Sequence, residues 1–223
     1  MRKVILFGAT QFANLLTYYL TKSDEYEIAA YTVDTAYIPS VSEKVGYPVI
    51  PFEVVEKEYP PEEYGVLLCV GYSKMNCTRK QAYLRTKQKG YDILSYIHPT
   101  ATVLAEKVGE GTVALERAII GPFAEIGIGN IIWAGENIAH DTKIGNFNFF
   151  AIESAVAGNV KIGDHCFFGN NCTIKNGIRI SDYTLVGAGC YVAHDTEAYS
   201  VHVPARSVVL AGKRSLDIRL TQG

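Results

Sequence analysis

Long apolar runs are missing from this chain of 223 residues, and no stretch approaches the roughly 20 residues that a transmembrane helix requires. The opening Met1-Arg2-Lys3, followed by Val4 to Phe7, starts like a signal peptide. Thr10-Gln11 interrupts it after about half an h-region and no small-residue cleavage site follows, so the segment reads as an opening β-strand. Charge of one sign is missing too: 21 Lys and Arg face 23 Asp and Glu, a net charge of -2. That balance argues against an electrostatic nucleic-acid binder or a polybasic membrane clamp, and leaves open phosphate recognition by a local loop. The five cysteines (Cys69, Cys77, Cys166, Cys172, Cys190) are odd in number and contain no C-x-x-C, which speaks against a disulfide framework or a zinc site and fits a reducing cytoplasm. Nor do any two of the five histidines lie within a few residues of each other, as a three-histidine zinc site would need. What the chain does have is 48% hydrophobic residues, enough to bury a real core in two domains of ordinary size.

The first hundred residues alternate between two periods. Lys3 to Phe7 is a continuous apolar run ending at Gly8, the pattern of a buried parallel strand. Gln11 to Lys22 then carries Leu15, Leu16, Tyr19 and Leu20 at helical spacing. A second strand is predicted over Tyr26 to Val33, closed by Asp34, then a helical stretch over Phe52 to Glu58, a strand over Gly65 to Val70 and a helix from Asn76 to Lys89. Such alternation is the signature of a small parallel sheet, whose ligands sit at the carboxyl ends of the strands. Here those ends are Gly8-Ala9-Thr10-Gln11, Asp34 and Gly71-Tyr72. Gly8 stands alone before Ala9 to Ala13, so the loop is not the G-x-G-x-x-G of a dinucleotide site.

From residue 108 the period becomes six. Every sixth residue from Val108 through Ile120, Ile138, Phe150, Ile162, Ile180 and Val192 to Ala198 is apolar, 16 positions in all, where the composition predicts about 8. Two residues earlier sits something small or β-branched, as at Ala118, Thr142, Ser154, Cys172 and Cys190; one residue later is often glycine, as at Gly121, Gly145 and Gly163. Neither a helix nor a plain strand has that period. A short strand with one large and one small inward side chain, followed by a tight corner, does. Three such strands close a triangular coil of three hexads, which makes about five coils of a β-helix and leaves Cys172 and Cys190 as core filler.

The repeats Ile126-Gly127, Ile144-Gly145, Ile162-Gly163 and Val186-Gly187-Ala188-Gly189 resemble the hexapeptide repeat of left-handed β-helix acyltransferases. Handedness is implied by that resemblance alone. Three further stretches narrow it: Ile97-His98-Pro99-Thr100-Ala101, Ile138-Ala139-His140-Asp141 and Val203-Pro204-Ala205-Arg206. With the α/β opening, the chain resembles the sialic acid O-acetyltransferase and bacillosamine N-acetyltransferase family over nearly its whole length. The architecture implied is a Rossmann-like nucleotide-sugar-binding domain over residues 1–96 and a left-handed parallel β-helix over 97–223. The activity implied is transfer of acetyl, or a related acyl group, from coenzyme A to a nucleotide-linked amino sugar in bacterial surface-glycan biosynthesis, including lipopolysaccharide O-antigen. O-acetylation of a sialic-acid-like sugar and a binding module without chemistry remain as alternatives.

In that family the histidine of a His-acid pair is the general base, and the role carried over falls on His140, with Asp141 tuning or orienting the imidazole. Imidazole suits the task because its ordinary pKa lies near 6.5. Adjacent side chains on a strand point to opposite faces, so the pair can touch only at a corner. Ala139-His140-Asp141-Thr142 recurs as Ala193-His194-Asp195-Thr196, three coils on and about 14 Å away; the mid-helix copy is the one favoured. Acyl-CoA contacts are expected at Phe149, which stands where the family has a histidine, and at Gly158, Ala188 and Gly189. The nucleotide sugar is expected at Gly8, Ala9, Thr10, Gln11, Phe12, Asp34, Gly71 and Tyr72, Gln11-Phe12 standing where the family has Gly-His and His202 where it has glycine. No metal is expected. The family also implies a homotrimer with active sites between subunits, a cytoplasmic location, and neither nucleic-acid binding nor membrane insertion.

Overall fold

The computed structural model describes residues 1–41, 46–209, 211–212 and 214, so most of the tail from Lys213 lies outside the described residues. The N-terminal part is a five-stranded, all-parallel sheet in the order β3-β2-β1-β4-β5, made of Arg2–Phe7 (β1), Tyr26–Val33 (β2), Val49–Pro51 (β3), Gly65–Leu68 (β4) and Asp92–Ile93 (β5). Gln11–Leu20 (α1) buries Phe12, Ala13, Leu16 and Leu20 on one stripe, and the Thr10 hydroxyl caps its start by accepting the Ala13 N–H. A short helix, Ile38–Val41 (α2), follows β2, and Phe52–Lys57 forms 3₁₀ turns. Cys77–Gln88 (α3) completes the domain. The sequence reading found β1, β2, β4, α1, α3 and the turns from Phe52; it missed α2, β3 and β5, which have four, three and two residues and no period to see.

The remainder is a parallel β-helix of two-residue strands in three sheets. The first sheet runs from Tyr96–Ile97 to Val201–His202 in seven strands, the second from Thr102–Val103 to Tyr191–Val192 in six, and the third from Lys107–Val108 to Arg179–Ile180 in five. Every pairing from Val113 to Val192 is offset by three hexads, as in Ile120↔Ile138, Ile126↔Ile144 and Phe150↔Phe168. The inward residue of each strand from Val113 to Val192 is buried and forms one continuous cluster, so Ile120, Ile138, Val156, Ile174 and Val192 stack in a single column. The helix begins at Tyr96, before the hexads become regular, because the first coil falls one position short of three hexads: Ile120 pairs back with Val103. At the far end Val186 pairs forward with His202, two positions short, and the slip leaves Ala198, the last apolar hexad position, exposed.

Corners need a residue in the left-handed region every sixth position. Arg117, Phe123, Asp141, Phe147, Glu153, Asn159, His165, Asn171 and Tyr183 all have φ between 55° and 61°. Only Asp and Asn among them take that conformation readily; for the rest it costs about 1–2 kcal/mol, offset by backbone bonds that each corner makes to its neighbour, such as Asp141 N–H to Pro122 O at 3.0 Å and Asn159 N–H to His140 O at 3.1 Å. Inside one corner, Asn130 and Asn148 form a ladder in which each Oδ1 accepts the N–H one coil on and each Nδ2 donates to carbonyls of the glycine column.

The α/β domain sits on the first sheet. That sheet turns Val113, Ile131 and Phe149 outward, and they join Val4, Leu6, Phe12, Leu16 and Leu67 in one cluster spanning both parts. Arg79 bolts them together. It is fully buried and its guanidinium donates to carbonyls: Nε to Gly129 O at 2.8 Å, Nη2 to Asn148 O at 3.0 Å, Nη1 to Gly71 O at 2.7 Å. Burial pulls its pKa down to about 9.

Glu136 is a carboxyl sealed in the β-helix core, where Ser154 donates to one oxygen and the other has no partner among the described residues. Desolvation raises its pKa well above 4.5. An acid held protonated in the native state contributes stability that is complete below its unfolded pKa and is lost as pH rises toward the folded-state value. Glu136→Gln is therefore expected to raise the melting temperature at pH 8 and to flatten its decline between pH 5 and 8. A variant that melts with the parent's pH dependence would show that the carboxyl is ionised in place.

Candidate active site

Two places carry chemistry. The first is a cavity of about 320 Å³ at the carboxyl ends of the parallel strands, lined by Gly8, Ala9 and Thr10 after β1, Asp34 after β2 and Gly71 with Ser73 after β4. Its position is the switch point between β1 and β4, where the connections leave in opposite directions. Gly8 has φ 115°, and a Cβ there would lie 2.9 Å from the Cys69 carbonyl oxygen, so the tight turn into α1 admits only glycine. The N-terminus of α1 opens into this cavity, which favours an anionic group.

One wall comes from α3, through Thr78, Gln81, Ala82 and Arg85. These were not singled out from the sequence, although their three- and four-residue spacing marks one helix face. Arg85 grips Asp34 with two hydrogen bonds of 2.5 and 3.2 Å while its guanidinium lies 4.7 Å from the Phe52 ring centre. The Asp34 contact holds the Arg85 pKa up. Of the residues expected to hold a nucleotide sugar, Gly8, Ala9, Thr10, Asp34 and Gly71 line this cavity. Gln11 is exposed beside it, Phe12 packs on Trp133 at 5.8 Å, and Tyr72 packs edge-on against Phe149 and Phe167 at 4.9 and 5.2 Å.

The second place is the corner between the second and third sheets, formed by Ala139 to Thr142. His140 Nδ1 lies 2.7 Å from Asp141 Oδ2, and the imidazole is 58% exposed. Asp141 reaches its neighbour because its φ of 57° turns the chain there; on a straight strand the two would diverge. The Thr142 hydroxyl points inward to the Ala157 carbonyl at 3.2 Å. The repeat three coils on differs: Asp195 Oδ1 accepts the Arg179 N–H at 2.9 Å, and His194 is exposed on the shortened last coil.

Gly158 lies directly under His140, one coil on. Phe149 is on the first sheet, buried between Trp133, Phe167 and Tyr72, and Ala188-Gly189 is on the corner between the first and second sheets. Within one chain the structure thus brings Gly158 to His140 and leaves Phe149, Ala188 and Gly189 elsewhere. The other histidines are structural in surroundings: His98 Nδ1 meets Thr100, His165 stacks between Phe147 and Tyr183, and His202 Nε2 meets Ser200 Oγ at 3.0 Å. Burial pushes the thiols of Cys166 and Cys172 up to about 12, leaving them unreactive. Among the described residues no group of His, Cys, Asp and Glu is placed to hold a metal, and no helix is long and apolar enough to cross a membrane.

Comparison with known proteins places this geometry. Residues 141–176 match the family model described as bacterial transferase hexapeptide (six repeats). Among curated proteins none matches the chain. Among solved structures, PerB from Caulobacter crescentus in complex with CoA and GDP-perosamine is 24% identical, with a TM-score of 0.77 over 91% of this chain and 92% of that one. The acetyltransferase domain of PglB from Neisseria gonorrhoeae, in complex with acetyl coenzyme A, is 21% identical with a TM-score of 0.74 over 87% and 92%. WeeI from Acinetobacter baumannii is 21% identical with a TM-score of 0.71 over 90% and 96%. The fold of this chain is accordingly an α/β domain followed by a left-handed parallel β-helix.

The loop carrying Gly71 and Ser73 continues through Lys74, Met75 and Asn76, three successive residues with φ between 49° and 64°, and Arg79 and Asn76 pin it to the β-helix. Arg79→Met strips the donors from buried carbonyls at Gly71, Gly129 and Asn148. The expected cost is about 3 kcal/mol, read as a lower urea midpoint; an unchanged midpoint would mean that water replaces the guanidinium.

Proposed function

We propose that the protein is an acyl-CoA-dependent N-acyltransferase that moves an acetyl group from acetyl-CoA to the amine of a nucleotide-linked amino sugar, in the cytoplasmic assembly of a bacterial surface glycan such as O-antigen. The observation that carries this reading is the exposed His140-Asp141 pair, held at a β-helix corner on a chain that also bears a cavity of about 320 Å³ at a helix N-terminus. Similar structures support it, since they are named as acetyltransferases or hold CoA with GDP-perosamine, and the C. crescentus enzyme has been solved as variants of a single histidine.

The chemistry follows from the geometry. Asp141 accepts the Nδ1 proton of His140, which leaves the Nε2 lone pair outward. As the sugar amine attacks the thioester carbon, a C–N bond forms and the carbonyl electron pair moves to oxygen. His140 Nε2 takes the amine's proton. Collapse of the tetrahedral species breaks the C–S bond, and the departing thiolate takes that proton from the imidazolium. The Gly158 N–H, which donates to no backbone carbonyl among the described residues, is placed to receive the oxyanion.

The cavity and His140 belong to different chains in this reading. The α/β domain covers the first sheet, and His140 is on the opposite vertex of the triangular coil, between the second and third. The third sheet turns out Lys107, Glu125, Lys143, Lys161 and Arg179, a hydrated charged face. The second turns out Thr102, Ile119, Asn137, Ala155, Thr173 and Tyr191, without a single charge. That uncharged face supports a homotrimer in which the nucleotide sugar held by one chain meets the histidine of its neighbour.

Saturating acetyl-CoA and one nucleotide sugar are each expected to raise the melting temperature, by about 2.7 kcal/mol of stabilisation at 100 times Kd. His140→Ala should lower kcat by roughly 10²- to 10⁴-fold in a steady-state assay with that pair. Full activity of the variant would remove the base role and leave attack by an already free amine. Mixing His140→Ala with Arg85→Ala subunits, each impaired alone, should restore activity in hybrid oligomers; no restoration would put cavity and histidine in one chain.

A further inference from the structure

Five coils bring residues 122, 140, 158, 176 and 194 to the same place on the second-to-third corner, as Pro122, His140, Gly158, Asn176 and His194. The His140 imidazole lies over the one member of this column with no side chain. A Cβ on Gly158 would stand 2.8 Å from Cε1, 2.8 Å from Nε2 and 3.3 Å from Nδ1 of His140, and those ring atoms are the three nearest heavy atoms it would meet. Gly158 does not have the positive φ found at other corner glycines, so the backbone itself does not call for glycine here. Gly121, at the start of the same corner one coil earlier, is different: a Cβ there would strike the backbone at His140 N and Ala139 C.

We infer that Gly158 is a positioning residue for His140: its missing side chain is the seat on which the imidazole lies. The inference rests on His140 being the base. The ring is held at two sides, by Asp141 at Nδ1 and by the flat Gly158 backbone along its Cε1–Nε2 edge. The first sets which nitrogen is free and the second sets where that nitrogen lies. Because the imidazole is 58% exposed, a methyl at 158 has an easy outlet: the ring swings into solvent, the Asp141 bond breaks or bends, and Nε2 leaves its place. The β-helix beneath is left as it was, since the three nearest heavy atoms the methyl would meet all belong to the imidazole.

Gly158→Ala in the full-length chain tests this, made alone and in the His140→Ala background. Expected are a kcat lower by tenfold or more, up to about 10²-fold for a displacement near 1 Å, a melting temperature close to the parent's, and a His140 ring signal moved in the NMR pH titration. In the His140→Ala background the same substitution should cost little further, because a residue acting through the imidazole has nothing left to act on. Unchanged kcat in Gly158→Ala would overturn the inference. So would an undiminished loss in the double variant, which would show that the added methyl acts at the oxyanion site of the Gly158 amide and not through the imidazole. Retained activity in His140→Ala alone would instead sink the base assignment, a separate failure.

Discussion

Closure of the chain on itself every three hexads, with strands stacked at backbone hydrogen-bonding distance, is the constraint that the rest of this molecule obeys. It turns a linear sequence into columns whose members stand about 4.8 Å apart, so each residue's chemistry is set by what stands one coil before and one coil after it. Isoleucine stacks on isoleucine inside, and asparagine on asparagine in one corner. On the outer corner the same rule puts a glycine next to a histidine and lets the imidazole lie flat. The rule has a cost, left-handed backbone at every sixth residue, often in residues that do not favour it. At Asp141 that cost becomes useful, because the turn that closes the coil also swings a carboxylate back onto His140.

A second constraint follows from the triangular section. Three faces have three fates: one apolar and covered by the chain's own α/β domain, one charged and hydrated, one uncharged and open. In the proposed reading the domain occupies the first face and the histidine the opposite vertex, so what the cavity of one chain holds meets the base of a neighbour. Assembly is then part of the chemistry in the proposed reading. Arg79 matters here beyond stability: its donors run from the cavity loop at Gly71 to the β-helix corners at Gly129 and Asn148, so the cavity is held in register with the coils.

The site was legible in parts, and the parts have a pattern. The family resemblance picked out His140-Asp141, and their contact could be read because a six-residue period fixes where corners fall, and a corner is what the contact needs. Gly8, Thr10, Asp34 and Gly71 could be read because strand ends in a parallel sheet face one edge. Arg85, Gln81 and Thr78 could not, because α3 carries no apolar stripe to orient it: only Arg79, Ala82 and Thr86 are buried, two of them polar. The carboxyl of Glu136 and the guanidinium of Arg79 were equally silent, since polar residues that end up buried look in sequence like any surface residue.

The sequence by itself therefore determined the period, the columns and the order of the domains, all of which depend on neighbours at fixed separations. Only the tertiary structure decided which of two identical Ala-His-Asp-Thr stretches holds a His-Asp contact: the last coil is two residues short, and its aspartate is drawn to the Arg179 N–H. It alone decided that Phe149 belongs to the domain interface, that Asp34 is gripped by Arg85, and that the cavity and the histidine lie on opposite sides of one chain. The physical reason is the same in each case. Repeats specify contacts within a repeating lattice, whereas the docking of a non-repeating domain onto one face, and the slip where the repeat ends, depend on long-range packing that no local pattern encodes.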